Sequence, residues 1–238
     1  MSSGQSLAVP QSARQTLERV APSVGVSLTP VQIDALLAYL ELIQKWNKVY
    51  NLTAVRDPAE MLTHHLLDSL AVITPLRLRL AGVEENLEVK SAEVKPRVTR
   101  LLDVGSGAGL PGIVIAICCP EIQVDCVDTV AKKAAFIQQV AVTLKLPNLR
   151  GLHARVENLT EPYDVISSRA FASLVDFTNW SEKALAAEGV WMAMKGKHPA
   201  DELAVLPSSV EVFHVEQLVV PGLDAERCIV WMGRRAGV

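Results

Sequence analysis

Three glycines at alternate positions, Gly105, Gly107 and Gly109, follow a run of apolar residues. Glycine lacks a Cβ, so a segment of this kind lets a ligand come close to the backbone. Asp103 stands just before the first glycine, and Leu110 follows the last. A glycine-rich turn directly after a predicted strand is typical of loops that bind nucleotide cofactors. The segment therefore predicts a nucleotide-cofactor loop.

Two registers of this loop predict different cofactors. Gly107–Gly112 has the spacing G-x-G-x-x-G of dinucleotide-binding proteins, and Asp128 follows about 20 residues later. That register leaves Asp103 inside a buried strand, where an unpaired carboxylate is costly. The other register, D-x-G-x-G-x-G over Asp103–Gly109, places the acid at the end of the strand, facing the crevice. There Asp103 pairs with the cationic methionine part of S-adenosylmethionine, which favours this cofactor over a nicotinamide dinucleotide.

The next two predicted strands also end in candidate cofactor residues. Asp128 is placed to accept hydrogen bonds from both ribose hydroxyls, as acids do in related nucleotide folds. The alternative for Asp128 is the N-cap of a helix that begins near Val130. Val156 and Glu157 follow the third predicted strand. There Val156 is expected to pack on the adenine, and the Glu157 carboxylate or the adjacent backbone is expected to read its exocyclic amine. The alternative for Glu157 is an ordinary solvated acid.

These residues need a set of strands that end at one edge of a sheet. Short β-branched runs alternate with helical stretches, which predicts a parallel sheet with helices on both faces. Two last runs, on either side of Pro221, predict an antiparallel hairpin at the sheet edge. The predicted strands are Val98–Val104, Ile122–Val127, Asn148–His153, Tyr163–Ser168, Gly189–Met194, Val210–Val220 and Arg227–Gly233. The fold class is therefore α/β, a Rossmann-like sheet of the class I methyltransferase layout.

The N-terminal part is predicted to be helical. A first short helix is expected over Gln11–Ala21. Thr29–Gln32 has the sequence of a capping box with proline at the first helical position, and the apolar spacing continues to about Lys48. Asp57 caps a further helix that is expected to run to about Ile73.

A change in composition marks the end of this helical part. Ala81–Arg97 is polar and charged, which predicts an exposed connection. The β-rich pattern begins directly after it. We therefore expect a helical cap at residues 1–97 and a methyltransferase domain at residues 98–238.

Composition excludes several classes of protein. The net charge of −3 argues against a uniformly basic nucleic-acid coat, so any RNA contact must come from the arrangement of local charges. The sequence has no long uncharged apolar run and no secretory type of start, so we expect a cytoplasmic protein without membrane contact. The four cysteines lack metal-binding spacing, so we expect buried core residues and no metal site.

Four segments, in this order, carry a resemblance to a known family: Trp46–Val55, His65–Leu70, Asp103–Gly112 and Ser168–Phe171. Together they resemble the bacterial small-subunit ribosomal RNA guanine-N7 methyltransferases, also called the glucose-inhibited division protein B family. The resemblance covers roughly residues 28–235. The ordered combination is much more specific than any one of the segments.

The resemblance implies a reaction, a substrate and a set of cofactor contacts. The reaction is transfer of a methyl group from S-adenosylmethionine to N7 of one guanine in a small-subunit rRNA hairpin loop near the decoding site. The partner is that rRNA or the 30S particle, without a stable protein partner. The implied cofactor contacts are Gly105, Leu110, Asp128, Thr129, Val156, Glu157 and Arg169.

Arg169 is the candidate closest to the chemistry, since it follows the fourth predicted strand. Its guanidinium is expected to hold the methionine carboxylate, or else an RNA phosphate. The alternative is a structural ion pair with Asp164 or Asp176. No acid–base residue is expected, because guanine N7 already carries a free lone pair.

Candidates for RNA contact lie after the predicted strand ends. Basic residues there predict a phosphate-binding rim, with ordinary surface charge as the alternative: Lys132, Lys133, Arg150, Arg155, Lys195, Lys197 and His198. Phe171 is expected to stack on an unstacked base or to belong to the core. His65 and Asp68, on one face of a predicted helix, are interpreted as a structural hydrogen-bond cluster joining the helical cap to the catalytic domain.

Overall fold

Seven strands form one sheet in the order β3-β2-β1-β4-β5-β7-β6. The computed structural model describes the backbone of residues 11–88 and 98–235, and the side chains of residues 13–82 and 98–235. The strands are β1 Arg100–Val104, β2 Gln123–Asp128, β3 Leu149–His153, β4 Tyr163–Arg169, β5 Leu185–Lys195, β6 Val210–Leu218 and β7 Arg227–Arg234. The first five pair in parallel, and β7 pairs antiparallel with both β5 and β6. The predicted α/β fold with a C-terminal antiparallel hairpin is confirmed.

The helices are α1 Gln11–Val20, α2 Pro30–Tyr50, α3 Pro58–Met61, α4 Asp68–Leu70, α5 Ile73–Glu88, α6 Gly112–Cys118, α7 Ala131–Thr143, α8 Leu174–Ser181 and α9 Ala200–Ala204. The capping box of α2 is present: the Thr29 side chain accepts from the Gln32 backbone N–H at 3.2 Å, and the Gln32 side chain accepts from the Thr29 backbone N–H at 2.9 Å. This reciprocal pair satisfies two of the free N–H groups at the start of the helix.

Two predictions about the helices are wrong. The single helix expected from Asp57 to Ile73 is interrupted by a π-helical turn at Leu62–Leu67. The connection expected from Ala81 is helical as far as Glu88, because this stretch contains good helix formers and charge alone does not end a helix. The rest of that connection and the predicted seam at residue 97 lie outside the described residues, so the division into two domains stays a prediction.

The long helix α2 lies along the sheet domain and points toward the carboxyl ends of the strands. Near its start, the Gln32 amide donates to the carbonyl of Cys118, at the end of α6, at 3.2 Å. Further along, the Tyr39 hydroxyl donates to the carbonyl of Ala108 at 2.7 Å. Near its end, Trp46 packs edge-on against a ring of α7, Phe136, with the centroids 5.3 Å apart. The N-terminal helices are therefore packed directly on the elements that carry the glycine loop.

Two observations bear on the composition-based expectations. All four cysteines are free and buried, as expected of core residues. Within residues 11–88 and 98–235, no helix is long and apolar enough to cross a membrane.

Candidate functional site

The order of the strands creates a crevice at the end of β1. This strand lies between β2 and β4. The chain runs from β1 to β2 on one side of the sheet and from β4 to β5 on the other. Ligands of open α/β sheets bind at such a switch point, outside the carboxyl ends of the strands. The structure brings the predicted cofactor residues to this one edge.

The three glycines of the loop have positive φ angles of 65°, 59° and 90°, but they serve different purposes. A Cβ on Gly105 would overlap the ring of Phe171, and one on Gly109 would overlap Ile113. A Cβ on Gly107 would meet only the carbonyl oxygen of Gly105, at 4.0 Å. Gly105 and Gly109 are therefore required by packing, whereas Gly107 leaves open space over its backbone.

Asp103 is fully buried and anchors the end of the glycine loop through hydrogen bonds. Its Oδ2 accepts from the backbone N–H of Gly112 at 3.0 Å, and its Oδ1 accepts from the hydroxyl of Ser167, on β4, at 2.8 Å. Burial raises the pKa of this carboxyl to about 6, although both hydrogen bonds and the charge of Arg169 act in the opposite direction. The expectation that Asp103 faces the open crevice is wrong, because the Gly112 backbone and Ser167 satisfy its oxygens. A contact between Asp103 and the cofactor stays a prediction.

Asp128 closes β2 and reaches the glycine loop. Its Oδ2 accepts from the Gly107 N–H at 3.1 Å, and its Oδ1 accepts from the Val130 N–H at 2.9 Å. The amine of Lys133 lies 3.5 Å from Oδ2. Asp128 is not the N-cap of α7, since Val130 occupies that position without a side-chain cap. The carboxylate therefore lies beside the open backbone of Gly107.

The adenine candidates, Val156 and Glu157, and the other cofactor candidates, Leu110 and Thr129, lie near the ends of neighbouring strands. Leu110 and Val156 are buried, at 3% and 4% exposure. Glu157 is partly exposed, and its carboxylate lies 3.5 Å from the guanidinium of Arg155. Thr129 is exposed, and its carbonyl lies 3.1 Å from the ring nitrogen Nε2 of His153. The fold places all four candidates near the ends of β1, β2 and β3, and their contacts with a ligand stay predictions.

Arg169 makes an ion pair that differs from both expected ones. Its Nη1 donates to Asp68 Oδ2 and to the carbonyl of His64, each at 2.9 Å. The second oxygen of Asp68 accepts from Nε of Arg227, on the hairpin strand β7, at 2.8 Å. The proposed structural pairs with Asp164 or Asp176 are therefore wrong. Sequence reasoning could not identify Asp68 as the partner, because it lies about a hundred residues away on another element.

His65 and Thr53 form a separate contact beside this cluster. Nε2 of His65 lies 3.0 Å from the Thr53 hydroxyl. Burial, followed by the charge of Arg169, lowers the pKa of His65 to about 4. The π-helical turn that contains His65 also supplies the His64 carbonyl to Arg169. Asp68 joins three parts of the chain, but His65 shares no hydrogen bond with it, and Nδ1 of His65 is buried without a partner among the described residues. The prediction of one hydrogen-bonded cluster that contains both His65 and Asp68 is therefore wrong.

The predicted RNA rim is only partly assembled. Lys195 donates to both oxygens of Glu202, at 3.0 and 2.8 Å, so its charge is already paired. Arg150 lies near the start of β3, at the opposite edge, where it makes a bidentate pair with Asp125 at 2.7 and 2.6 Å. The placement of Arg150 at this rim is wrong, because spacing along the chain does not show which strand end a residue occupies, whereas the RNA contact of Lys195 stays a prediction. Among the remaining basic candidates, Lys132, Arg155, Lys197 and His198 are exposed.

Phe171 lies between the crevice and the surface. Its ring packs against the backbone of Gly105 and meets the ring of Trp180 edge to face, with the centroids 5.8 Å apart. Phe171 is partly exposed, and Trp180 is 40% exposed. Among the described residues, no group of three or more His, Cys, Asp or Glu side chains could hold a metal ion.

A parallel sheet with an antiparallel C-terminal hairpin and a glycine loop at its switch point defines the Rossmann-like class I methyltransferase fold. TrmN from Thermus thermophilus is similar in structure, with a TM-score of 0.53 and 18% identity, over 73% of this chain and 53% of that one. A sequence model of GidB, the rRNA small subunit methyltransferase G family, matches residues 32–81 and 83–230. The chain belongs to this family.

Similar proteins of two bacteria carry the name ribosomal RNA small subunit methyltransferase G. The protein of Albidiferax ferrireducens is 66% identical over 222 residues, which are 93% of this chain and 97% of that protein. The protein of Polaromonas naphthalenivorans is 62% identical over 227 residues, with 94% and 97% of the two chains covered. The family predicted from the four ordered segments is confirmed.

Proposed function

We propose that this protein transfers the methyl group of S-adenosylmethionine to N7 of a guanine in small-subunit rRNA, as a cytoplasmic enzyme. The observation that carries the proposal is the open backbone at Gly107, beside the Asp128 carboxylate, in a chain of this methyltransferase family. The relatives act on small-subunit rRNA according to their name. The guanine N7 position rests on the family resemblance.

The residues of the crevice fit this cofactor. Each carboxylate oxygen has two lone pairs, so Asp128 can accept from ribose hydroxyls while it keeps its backbone donors. Arg169 uses only Nη1 for Asp68 and His64 within the described part of the chain, so its other N–H groups suit a methionine carboxylate. Val156 offers an apolar contact to the adenine. Asp103 positions the loop through Gly112.

The reaction needs positioning more than proton transfer. When bound, S-adenosylmethionine supplies an electrophilic methyl group on a cationic sulfur. Guanine N7 has an in-plane lone pair and no hydrogen, so no residue of the chain has to remove a proton. Alignment of reacting groups is worth about 7–11 kcal/mol in well-oriented intramolecular reactions. The chain's task is therefore to hold the guanine against the crevice and to exclude water.

Phe171 is the proposed contact of the target base. Its ring is fixed by Gly105 on one side and Trp180 on another, and it remains partly exposed. An aromatic face beside the guanine stabilises the positive charge that develops on the purine during methylation. Lys132, Arg155 and Lys197 are the proposed phosphate contacts, since they are exposed basic residues near the same edge.

Two measurements test the proposal. Titration with S-adenosylhomocysteine and with NADH separates the two loop registers: we expect binding of the former, and tight NADH binding without any response to S-adenosylhomocysteine would refute the cofactor. Mass spectrometry of small-subunit rRNA from a deletion strain separates an enzyme from a non-catalytic assembly factor. We expect loss of one methyl group from one guanine, restored by the wild-type gene; unchanged methylation would refute the reaction.

A further inference from the structure

The end of α2 and the start of α7 carry four lysines, of which Lys133 pairs with Asp128 and Lys45 lies one helical turn from the exposed Glu41. The last nine residues of α2, positions 42–50, contain Lys45 and Lys48 and no carboxylate. All thirteen residues of α7 likewise include two lysines and no carboxylate. The whole chain has a net charge of −3, so this local excess of positive charge runs against its composition.

The two helices meet through aromatic side chains. Trp46, on α2, contacts Phe136, on α7, with ring centroids 5.3 Å apart. Residues four apart on a helix lie on one face, so Lys132 stands one turn from this contact on α7 and Tyr50 stands one turn from it on α2. Tyr50 also packs on Trp46, with the centroids 5.0 Å apart. Lys132 and Tyr50 therefore flank the same junction.

The side chains around this junction are available to a partner. Tyr50 is 39% exposed and Val49 is 70% exposed. Lys45 and Lys132 are exposed, and neither forms an ion pair with any residue that the structure describes. These four residues, Lys45, Val49, Tyr50 and Lys132, are called the α2–α7 surface below.

This surface adjoins the proposed reaction site. α7 begins three residues after Asp128, whose carboxylate also bonds the Gly107 N–H. Beyond Tyr50, the chain turns at Asn51, which adopts a left-handed φ of 49°, and the Thr53 N–H is fixed by the side chain of Asn47 at 3.0 Å. The surface is thus held in place beside the carboxyl edge of the sheet.

We propose that the α2–α7 surface binds the RNA strand that flanks the target guanine. Lys45 and Lys132 contact phosphates, and Tyr50 stacks on an unpaired base. Exposed lysines that make no ion pair with the described residues suit polyanions, and exposed aromatic rings recognise unstacked bases of single-stranded RNA. The inference rests on the proposed function, and it assigns part of substrate recognition to the N-terminal helices.

Methyl transfer to small subunits from a strain that lacks the methyl group tests the surface, with KM and kcat measured separately. For the double variant Lys45→Glu, Lys132→Glu we expect a KM for subunits at least tenfold higher, with kcat within twofold. The slope of log KM against log salt should fall by about two, because each lysine neutralises about one phosphate. The matched control is Lys183→Glu, an exposed lysine before β5 at the opposite edge of the sheet, for which no change is expected.

The aromatic contact has its own test. Tyr50→Ala should raise the KM for subunits at least fivefold, whereas Tyr50→Phe keeps the stacking face and should leave it unchanged. Affinity for S-adenosylhomocysteine should stay within twofold in every variant, which shows that the fold and the cofactor site are intact. An unchanged KM in the double lysine variant would overturn the proposal.

Two further outcomes separate this inference from its alternatives. A raised KM with an unchanged salt slope, together with unchanged binding to naked rRNA, would overturn the RNA contact in favour of a ribosomal protein. Cosedimentation of wild type and variants with small subunits measures the surface without turnover. Equal cosedimentation of all variants would refute RNA binding by the α2–α7 surface. If the wild type binds S-adenosylhomocysteine and subunits but transfers no methyl group, the proposed reaction is refuted instead.

Discussion

Loss of the Asp68 carboxylate should lower both stability and cofactor affinity. It is 2% exposed, and its two oxygens accept from Arg169 at 2.9 Å and from Arg227 at 2.8 Å. It therefore joins the N-terminal helices to β4 and to the hairpin. In Asp68→Asn the shape is kept, but one carboxylate oxygen becomes an NH2 group that faces a guanidinium donor.

The size of the effect follows from the burial of the three groups. Removing one partner of a buried ion pair costs about 3–5 kcal/mol. The side chains of Arg169 and Arg227 are 20% and 22% exposed, so water partly solvates the guanidinium groups that lose their partner. We therefore expect Asp68→Asn to lower the free energy of unfolding by about 2–3 kcal/mol. In a chain of this size that corresponds to a fall in Tm of about 5–10 °C.

The same change should weaken the cofactor site, since it frees the guanidinium of Arg169 from one of its two anchors. If the poorer orientation of Arg169 costs about 1.4 kcal/mol of binding free energy, the Kd for S-adenosylhomocysteine rises about tenfold. Arg227→Lys is the matched control. It disturbs the ion pair that Asp68 makes with the hairpin but not the one with Arg169, so Tm should fall while cofactor affinity stays within twofold. Calorimetry and fluorescence titration measure the two quantities. A Tm within 1–2 °C of wild type, roughly the limit of a significant shift, together with unchanged affinity would refute the role given to Asp68.

Three further predictions concern the loop and the buried titratable groups. Because the pKa of Asp103 is raised to about 6, its stabilising contribution is present at low pH and is lost as pH rises through 6. In urea unfolding from pH 4 to 7, the free energy of unfolding of the wild type should fall by up to about 3 kcal/mol relative to that of Asp103→Asn, and parallel curves would contradict this. Because the pKa of His65 is lowered to about 4, the neutral ring stabilises the fold above the ordinary pKa of histidine, and this stability is lost as pH falls toward 4. NMR should therefore show no titration of His65 between pH 5 and 8, and a titration midpoint near 6.5 would disprove this prediction. Gly105→Ala should lower Tm strongly, since its Cβ meets Phe171, whereas Gly107→Ala should reduce S-adenosylhomocysteine affinity at least tenfold with a smaller change in Tm; equal effects on Tm would argue against the different purposes of the two glycines.

The parallel sheet and its ligand-binding edge could be predicted because they depend on local pattern. Alternating β-branched and helical segments report which residues are buried on both faces of a sheet, and all seven predicted strands are present. The start of β5 was placed at Gly189 rather than Leu185, since a register irregularity between Tyr163 and Val165 lets four further residues join the strand. The π-helical turn at Leu62–Leu67 was also missed, because no residue type in it breaks a helix.

The pairing of charged residues could not be predicted in the same way. Asp103 was expected to face a ligand, yet Ser167 and the Gly112 backbone satisfy it. Lys195 is a candidate for the phosphate-binding rim, and the sequence does not show that Glu202 pairs with it. Each outcome depends on which groups the folded chain brings within hydrogen-bond distance, and sequence separation does not encode that distance.

The sequence by itself determined the glycine loop, the acids at or next to the ends of β1 and β2, and the four ordered segments that identify the family, because these features are contiguous along the chain. Tertiary structure alone decided that Asp68 anchors Arg169, that Gly107 is the open position of the loop, and that α2 meets α7 through Trp46 and Phe136. The physical reason is that burial and charge pairing are properties of neighbours in space, and those neighbours come from distant parts of the chain.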